Sequence, residues 1–274
     1  VRSAIIAAAA LACVNTAAAF GPGAHAYLAM KALQASDSVA IYAAALPDMN
    51  GSFAATPQAA SRIKHLTHYE YTRLAPSCFA AGFATHNNVW GADAIAHAYF
   101  VEAAPENYVT AKIHELSARC GITLHEAEDL FDAGLDIALA TGVGPSLGKA
   151  LANSTRQVGA AEEDALVAAY AAPLAEELGI TLEEAGERIR WAERCMRTVM
   201  QAYGNLLQGK LMLYRPVAAW MVERAFHWNA ADARTRLDTA ISLASDCIPA
   251  LDLMAEGIRT HLLTDPVYAG CAAR

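Results

Sequence analysis

Charge is scarce in this chain. Only 18% of its 274 residues are Asp, Glu, Lys or Arg, and 28 acids against 20 bases give a net charge of −8. That balance excludes a broad basic nucleic-acid binder, because an acidic surface repels a phosphate backbone; only a local metal cluster would reverse the sign in one cleft. Long hydrophobic runs are missing beyond the N-terminal stretch, so no later segment approaches the roughly 18 unbroken apolar residues of a membrane span. Strand signals are almost absent. There is no CxxC pair, and Cys78, Cys120, Cys195, Cys247 and Cys271 are scattered; their spacing assigns them no chemistry and leaves one or two disulfides open. Nor is there a Walker loop or an H-E-x-x-H pair, which removes the phosphate-loop and zincin signatures.

What is present is apolar and helical. Hydrophobic residues make up 55% of the chain, enough to bury a sizeable core. Residues 1–19 are set aside: Arg2 precedes the apolar stretch Ala4 to Val14 and then Thr16-Ala17-Ala18-Ala19, the pattern of a secretory signal with an A-x-A cleavage site. The expectation is a chain that starts at Phe20 and is secreted or periplasmic. From there apolar residues recur at helical spacing over Ala24 to Leu33, Ala92 to Phe100, Leu124 to Leu139, Leu182 to Leu207 and Arg234 to Leu251. Capping boxes at Thr123–Glu126 and Thr181–Glu184 mark two helix starts. Breaks are expected at Asp48 to Pro57, Pro76 to Cys78, Thr141 to Gly148, Pro173 and Asp265-Pro266, where Gly, Pro and Asn cluster. None reads as a linker, so the sequence predicts one all-α domain over residues 20–274, a multi-helix bundle. Arg188, Arg190, Arg194 and Arg197 read as a solvated helix face.

The histidines carry the chemical signal. Seven of the nine fall between His25 and His125. His86, Asp93 and His97 are spaced seven and four apart, which puts them on one face of a continuous helix. His125 and Asp129 are again i and i+4, with Asp132 and Asp136 continuing their face either toward the site or as its solvated edge. Neutral imidazole and carboxylate facing one way suit a borderline cation such as zinc. Glu126 is accounted for by its capping box and is left out of the ligand set. Seven residues of continuous helix span about 10.5 Å, so His86 reaches Asp93 only if a bend intervenes, for which Asn87-Asn88 and Gly91 are suited.

At these residues the sequence resembles the zinc-dependent phospholipase C and fungal zinc-nuclease superfamily. Phe20-Gly21-Pro22-Gly23-Ala24-His25 resembles its N-terminal metal-binding segment, with Phe in place of the usual Trp. Asp48 resembles its early aspartate, and Thr67-His68-Tyr69 its next histidine, which favours His68 over His65. His86, Asp93 and His97 resemble its central His, Asp, His helix, although that family spaces the first two four apart where this chain spaces them seven apart. His125 and Asp129 resemble its last pair. The resemblance covers roughly Phe20 to Asp136; no motif of residues 141–274 matches.

It implies an all-helical secreted phosphodiesterase with two or three zinc ions. In it Asp48 and Asp93 are the candidate catalytic carboxylates, Asp93 bridging two ions. His68 and Asp48 complete one site, His97, His125 and Asp129 a second, and Phe20 with His25 a third. Such ions lower the pKa of a bound water and neutralise phosphoryl charge. The implied substrate is a phospholipid headgroup ester. The alternatives are a single-strand nuclease and a secreted helical protein that binds metal without catalysis.

Overall fold

The computed structural model describes residues 20–35, 38–49, 57–98, 109–208 and 211–272, with the side chains at 57–60, 97–98, 145 and 211–214 left aside. Among these residues there are helices and turns and no strand. In chain order they are α1 (Pro22–Ala32), α2 (Val39–Ala43), a 3₁₀ turn (Leu46–Met49), α3 (Pro57–Tyr69), a second 3₁₀ turn (Tyr71–Arg73), α4 (Cys78–Ala84), α5 (Ala92–Ala98), α6 (Val109–Cys120), α7 (Leu124–Gly142) and α8 (Pro145–Ser154). A third 3₁₀ turn (Thr155–Gln157) leads to α9 (Ala160–Leu178), α10 (Leu182–Leu207), α11 (Leu211–Phe226), α12 (Ala230–Ser245), α13 (Ile248–Thr264) and α14 (Ala269–Ala272).

Side-chain oxygens start several of these helices by accepting from otherwise orphaned N–H groups. Ser38, Ser77, Thr181 and Asn229 do so, and at Thr123 the box closes reciprocally with Glu126. The Glu126 carboxyl is held below its usual range by the Thr123 backbone N–H it accepts, as its capping role requires.

α7 lies at the centre, packed against α12, α6 and α1, while α10 packs between α8 and α9. Helix α7 approaches α12 closely because Gly134 carries no side chain: a Cβ there would stand 2.8 Å from the backbone of Ala240. The buried face of α7 holds Leu130, Phe131, Leu135 and Leu139, and the core continues through Tyr42, Phe83, Met200 and Ile258. No single described helix is long and apolar enough to cross a membrane. A disulfide joins Cys78, at the start of α4, to Cys271 in α14, settling one pairing that spacing left open.

Three local expectations are corrected. Pro173 does not break the chain; it sits inside α9, whose Leu166, Tyr170 and Leu174 are buried, and that packing outweighs the one backbone bond a proline removes. The run Arg234 to Leu251 is two helices, parted at Asp246-Cys247, with Pro249 in the first turn of α13. The arginine face of α10 is not uniformly solvated, since Arg197 pairs with Glu163 at 2.8 Å and with the fully buried Glu193 at 3.2 Å.

Candidate metal centre

Five side chains from five segments converge in the N-terminal half. His25 stands in the first turn of α1, Asp48 in the 3₁₀ turn, His68 in the last turn of α3, His86 just beyond α4 and Asp93 in the first turn of α5. None is more than 5% exposed.

The seven-residue spacing between His86 and Asp93 has a specific backbone solution. Ala92, Asp93 and Ala94 donate their N–H groups to the carbonyls of Thr85, His86 and Asn87 at 2.8, 3.0 and 3.3 Å. Each bond reaches back seven residues where a helix reaches four. Three extra residues are thus absorbed in the turn at 88–91, and His86 stands about where a residue one turn before Asp93 would stand. Asn87 organises the excursion: its Oδ1 accepts from the N–H groups of Val89, Trp90 and Gly91 at 2.7, 2.9 and 3.3 Å, and its Nδ2 donates to the Ala84 carbonyl. The helix accordingly starts late, at Ala92, and His86 Nε2 lies 3.4 Å from Asp93 Oδ1.

The donor spacing is that of a small coordination shell. His68 Nε2 and His86 Nε2 are 3.2 Å apart. Asp48 Oδ1 is 3.6 Å from each of them, and the Asp93 oxygens lie 3.4 Å from His68 and 3.4 Å from His86. Donors held tetrahedrally at roughly 2.0–2.2 Å from one ion stand about 3.3–3.6 Å from each other, close to the spacing within Asp48, His68 and His86, while Asp93 meets the two histidines through different oxygens. His25 Nε2 adds to this group from the side, 3.7 Å from Asp93 Oδ1 and 3.9 Å from Asp48 Oδ2, with its ring stacked on His86 at 3.9 Å between centroids. Two overlapping triads, His25–His86–Asp93 and Asp48–His68–His86, are each able to hold a metal ion.

Hydrogen bonding on the far side of the rings fixes which nitrogen faces inward. His86 Nδ1 lies 2.8 Å from the Ala44 carbonyl, an acceptor only, so Nδ1 carries the proton and Nε2 presents a lone pair. The Thr67 hydroxyl has the carbonyls of Ile63 and Pro47 to donate to, at 3.0 and 3.1 Å, so it accepts from His68 Nδ1 at 2.9 Å. The same tautomer results. Two imidazole lone pairs then face each other with two carboxylates around them, an arrangement that repels itself in the absence of a cation. Both Asp93 carboxylate oxygens and both His25 ring nitrogens are buried without a hydrogen-bond partner, a costly state for groups that a cation would satisfy. These residues fit a bound metal ion.

The electrostatics agree. Burial drives the His25 pKa well below its usual value, with His86 and His68 adding to the effect, which keeps a ligand imidazole neutral. Burial pushes the Asp48 carboxyl up, and positive charge placed among His86, His68 and His25 outweighs it and holds the group below the carboxylate range; with those rings neutral, a bound cation is what would supply that charge.

The remaining candidates divide. Phe20 is buried with its ring edge-on to His25 at 6.0 Å between centroids; residues 1–19, and with them the cleavage site, lie outside the described residues. The backbone of His97 is in α5, but its side chain also lies outside them. His125 and Asp129 are not brought into the cluster: the His125 side chain is 68% exposed, at the first turn of α7, and lies 4.0 Å from Asp129. His65, the less favoured histidine of α3, is half exposed and faces Glu70 at 3.5 Å.

Asp132 and Asp136, which the sequence left between site and solvated edge, are buried. Burial raises the Asp132 carboxyl well above its usual range, and the neighbouring Asp136, Asp129, Glu128 and Asp48 raise it further. Burial likewise pushes Asp136 up to about 6 against the pull of Tyr203, Gly23 and Ala24. The orienting groups, Thr67 and the Ala44 carbonyl, escape sequence reading. Thr67 adjoins His68 and was in principle visible; a backbone carbonyl 42 residues from its histidine leaves no trace in spacing.

Comparison with family models, with curated proteins and with solved structures gives no match to this chain.

Proposed function

We propose that this chain is a secreted, zinc-dependent phosphodiesterase of the phospholipase C type, acting on a phospholipid headgroup ester. The observation that carries the reading is the pair of buried triads that share His86, Asp48–His68–His86 and His25–His86–Asp93, each spaced to hold a metal ion, with both Asp93 oxygens and both His25 ring nitrogens left without a hydrogen-bond partner. Mixed imidazole and carboxylate donors in each triad favour zinc over the oxygen-preferring alkaline-earth ions. The excursion at 88–91 supports the family resemblance at its weakest point, since it returns His86 to about the four-residue relation with Asp93 that the superfamily uses.

When bound, zinc supplies Lewis-acid polarisation of a phosphoryl oxygen and neutralises charge on the ester. The chain's own contribution is to hold the donors. Ala44 and Thr67 fix the ring tautomers of His86 and His68, and burial keeps His25 neutral. Asp93 presents one oxygen toward each of two imidazoles, which suits a bridging carboxylate. Gly144-Pro145-Ser146-Leu147-Gly148 matches a G-x-S-x-G elbow in letters, but Ser146 is exposed in the first turn of α8, follows a helix instead of a strand, and donates its hydroxyl to the Val143 carbonyl at 3.1 Å, so the chain is assigned ligand positioning rather than covalent chemistry.

A non-catalytic metal-binding role has one observation in its favour, the exposed position of His125 away from the cluster, which leaves the second ion of the resemblance without that ligand. Incubating the zinc-loaded protein with phosphatidylcholine vesicles and, separately, with single-stranded DNA tests the reading. Release of phosphocholine is the expected result. Cleavage of DNA alone would shift the assignment to the nuclease branch, and inertness toward both would leave a metal-binding protein.

A further inference from the structure

We infer that Asp136 is the positioning residue for His25, tying the first turn of α1 to the core helices α7 and α10; the inference rests on the metal-centre reading above. Asp136 is fully buried in the middle of α7. Its Oδ2 accepts from the Gly23 N–H at 2.8 Å and its Oδ1 from the Ala24 N–H at 2.7 Å, while the Tyr203 hydroxyl of α10 donates to Oδ2. Helix α1 has no side-chain cap of its own, because Gly21 stands at its N-cap. A carboxylate 113 residues away in sequence therefore supplies the acceptors that a Ser or Asp would otherwise provide. Its negative charge also complements the positive end of α1.

Gly21-Pro22-Gly23 is shaped for this contact. A Cβ at Gly21 would stand 2.6 Å from Asp136 Oδ2, and one at Gly23 would stand 2.7 Å from Oδ1. Both glycines are needed for the carboxylate to reach the backbone, whatever turn the segment makes. His25 follows Ala24 directly, so the two bonded amides fix the helix phase that aims its ring at Asp93 and Asp48. Neither His25 ring nitrogen has a close hydrogen-bond partner, so the ring is held by its backbone and by ring contacts, stacked on His86 and edge-on to Phe20. Of the two triads, only the one containing His25 depends on this anchor.

The test is a double-mutant cycle on zinc affinity, read by competition with a chromogenic chelator, using wild type, Asp136→Asn, His25→Ala and the double variant. Asn keeps the shape but turns a donor toward one of the two amides, so Asp136→Asn should weaken zinc binding by about tenfold or more. It should cost nothing further in the His25→Ala background, because its effect passes through that ring. An equal loss in both backgrounds would assign Asp136 a general role in folding and overturn the inference, as would an unchanged affinity in the single variant.

Hydrogen exchange on the metal-free chains provides the second readout. The amides of Gly23, Ala24 and His25 should lose protection in Asp136→Asn, and to a smaller degree in Tyr203→Phe, while those of α10 keep theirs. Retained protection at residues 23–25 overturns the inference. A wild-type chain that binds no zinc would instead defeat the metal-centre reading and leave the exchange result to decide the anchor.

Discussion

Replacing Gly82 with alanine should damage both stability and the metal centre, and the magnitude follows from the packing of α2 against α4. A Cβ at Gly82 would stand 2.5 Å from Ala40 Cα and 2.6 Å from its carbonyl carbon, whereas carbon atoms in ordinary contact sit at about 3.5–4.0 Å. The helices must therefore separate by about 1 Å. The obstacle is backbone on α2, with no flexible side chain to give way, so the cost falls in or above the 1–3 kcal/mol typical of overpacking. For a chain of this size that corresponds to a Tm lower by about 2–12 °C.

The same movement carries off the Ala44 carbonyl at the end of α2, which holds His86 Nδ1 at 2.8 Å, so zinc affinity should fall with stability. Gly257→Ala serves as the control. That glycine lies within α13 with nothing within 4 Å of where a Cβ would stand, and alanine there should gain about 0.5–1 kcal/mol. Paired thermal melts followed by circular dichroism decide the matter. A Gly82→Ala chain melting at or above wild type would refute the packing argument, and one that melts early yet binds zinc normally would refute the link to His86.

Three further outcomes are expected. Replacing Cys271 with serine opens a loop with a sequence separation of 193 residues; chain entropy puts the loss at up to about 5 kcal/mol, read as a lower urea midpoint that reducing agent reproduces in wild type and does not change in the variant. Burial raises the Glu193 carboxyl, while Arg197 and the Tyr42 hydroxyl pull it down, so this residue takes up a proton on folding and its contribution to stability declines as pH rises from its unfolded value near 4.5 through its folded one; Arg197→Met should steepen that decline, and a flat dependence of unfolding free energy on pH in both chains would contradict it. Thr123→Ala removes the hydroxyl that accepts from the Glu126 N–H and should cost about 1 kcal/mol in chemical denaturation.

Helix content was legible because its signals are local. The Thr123 box and the run Leu182 to Leu207 are written in neighbouring residues, and the structure reproduces them. Pro173 and the break at Asp246-Cys247 were misread for the opposite reason: whether a proline is tolerated, or a run divided, depends on what the helix packs against. The metal centre divides along the same line. Composition and clustering single out the N-terminal histidines, but helical periodicity assumes that the chain between His86 and Asp93 is regular, and the Asn87 turn breaks that assumption. Periodicity also placed His125 and Asp136 on one stripe of α7 without indicating that the first turn of that helix is exposed while its middle is buried. Asp136 lies 113 residues from the amide it accepts, a relation that spacing does not encode.

The most direct measurement is the metal content of the purified chain, by elemental analysis after dialysis against metal-free buffer, with Asp93→Asn alongside. An amide neither carries the charge nor bridges as a carboxylate does. The wild-type chain should retain at least one zinc per molecule, and the variant should lose most of it while keeping its helical spectrum. Equal zinc in the two chains, or none in the wild type, would contradict a metal centre built on Asp48, His68, His86 and Asp93.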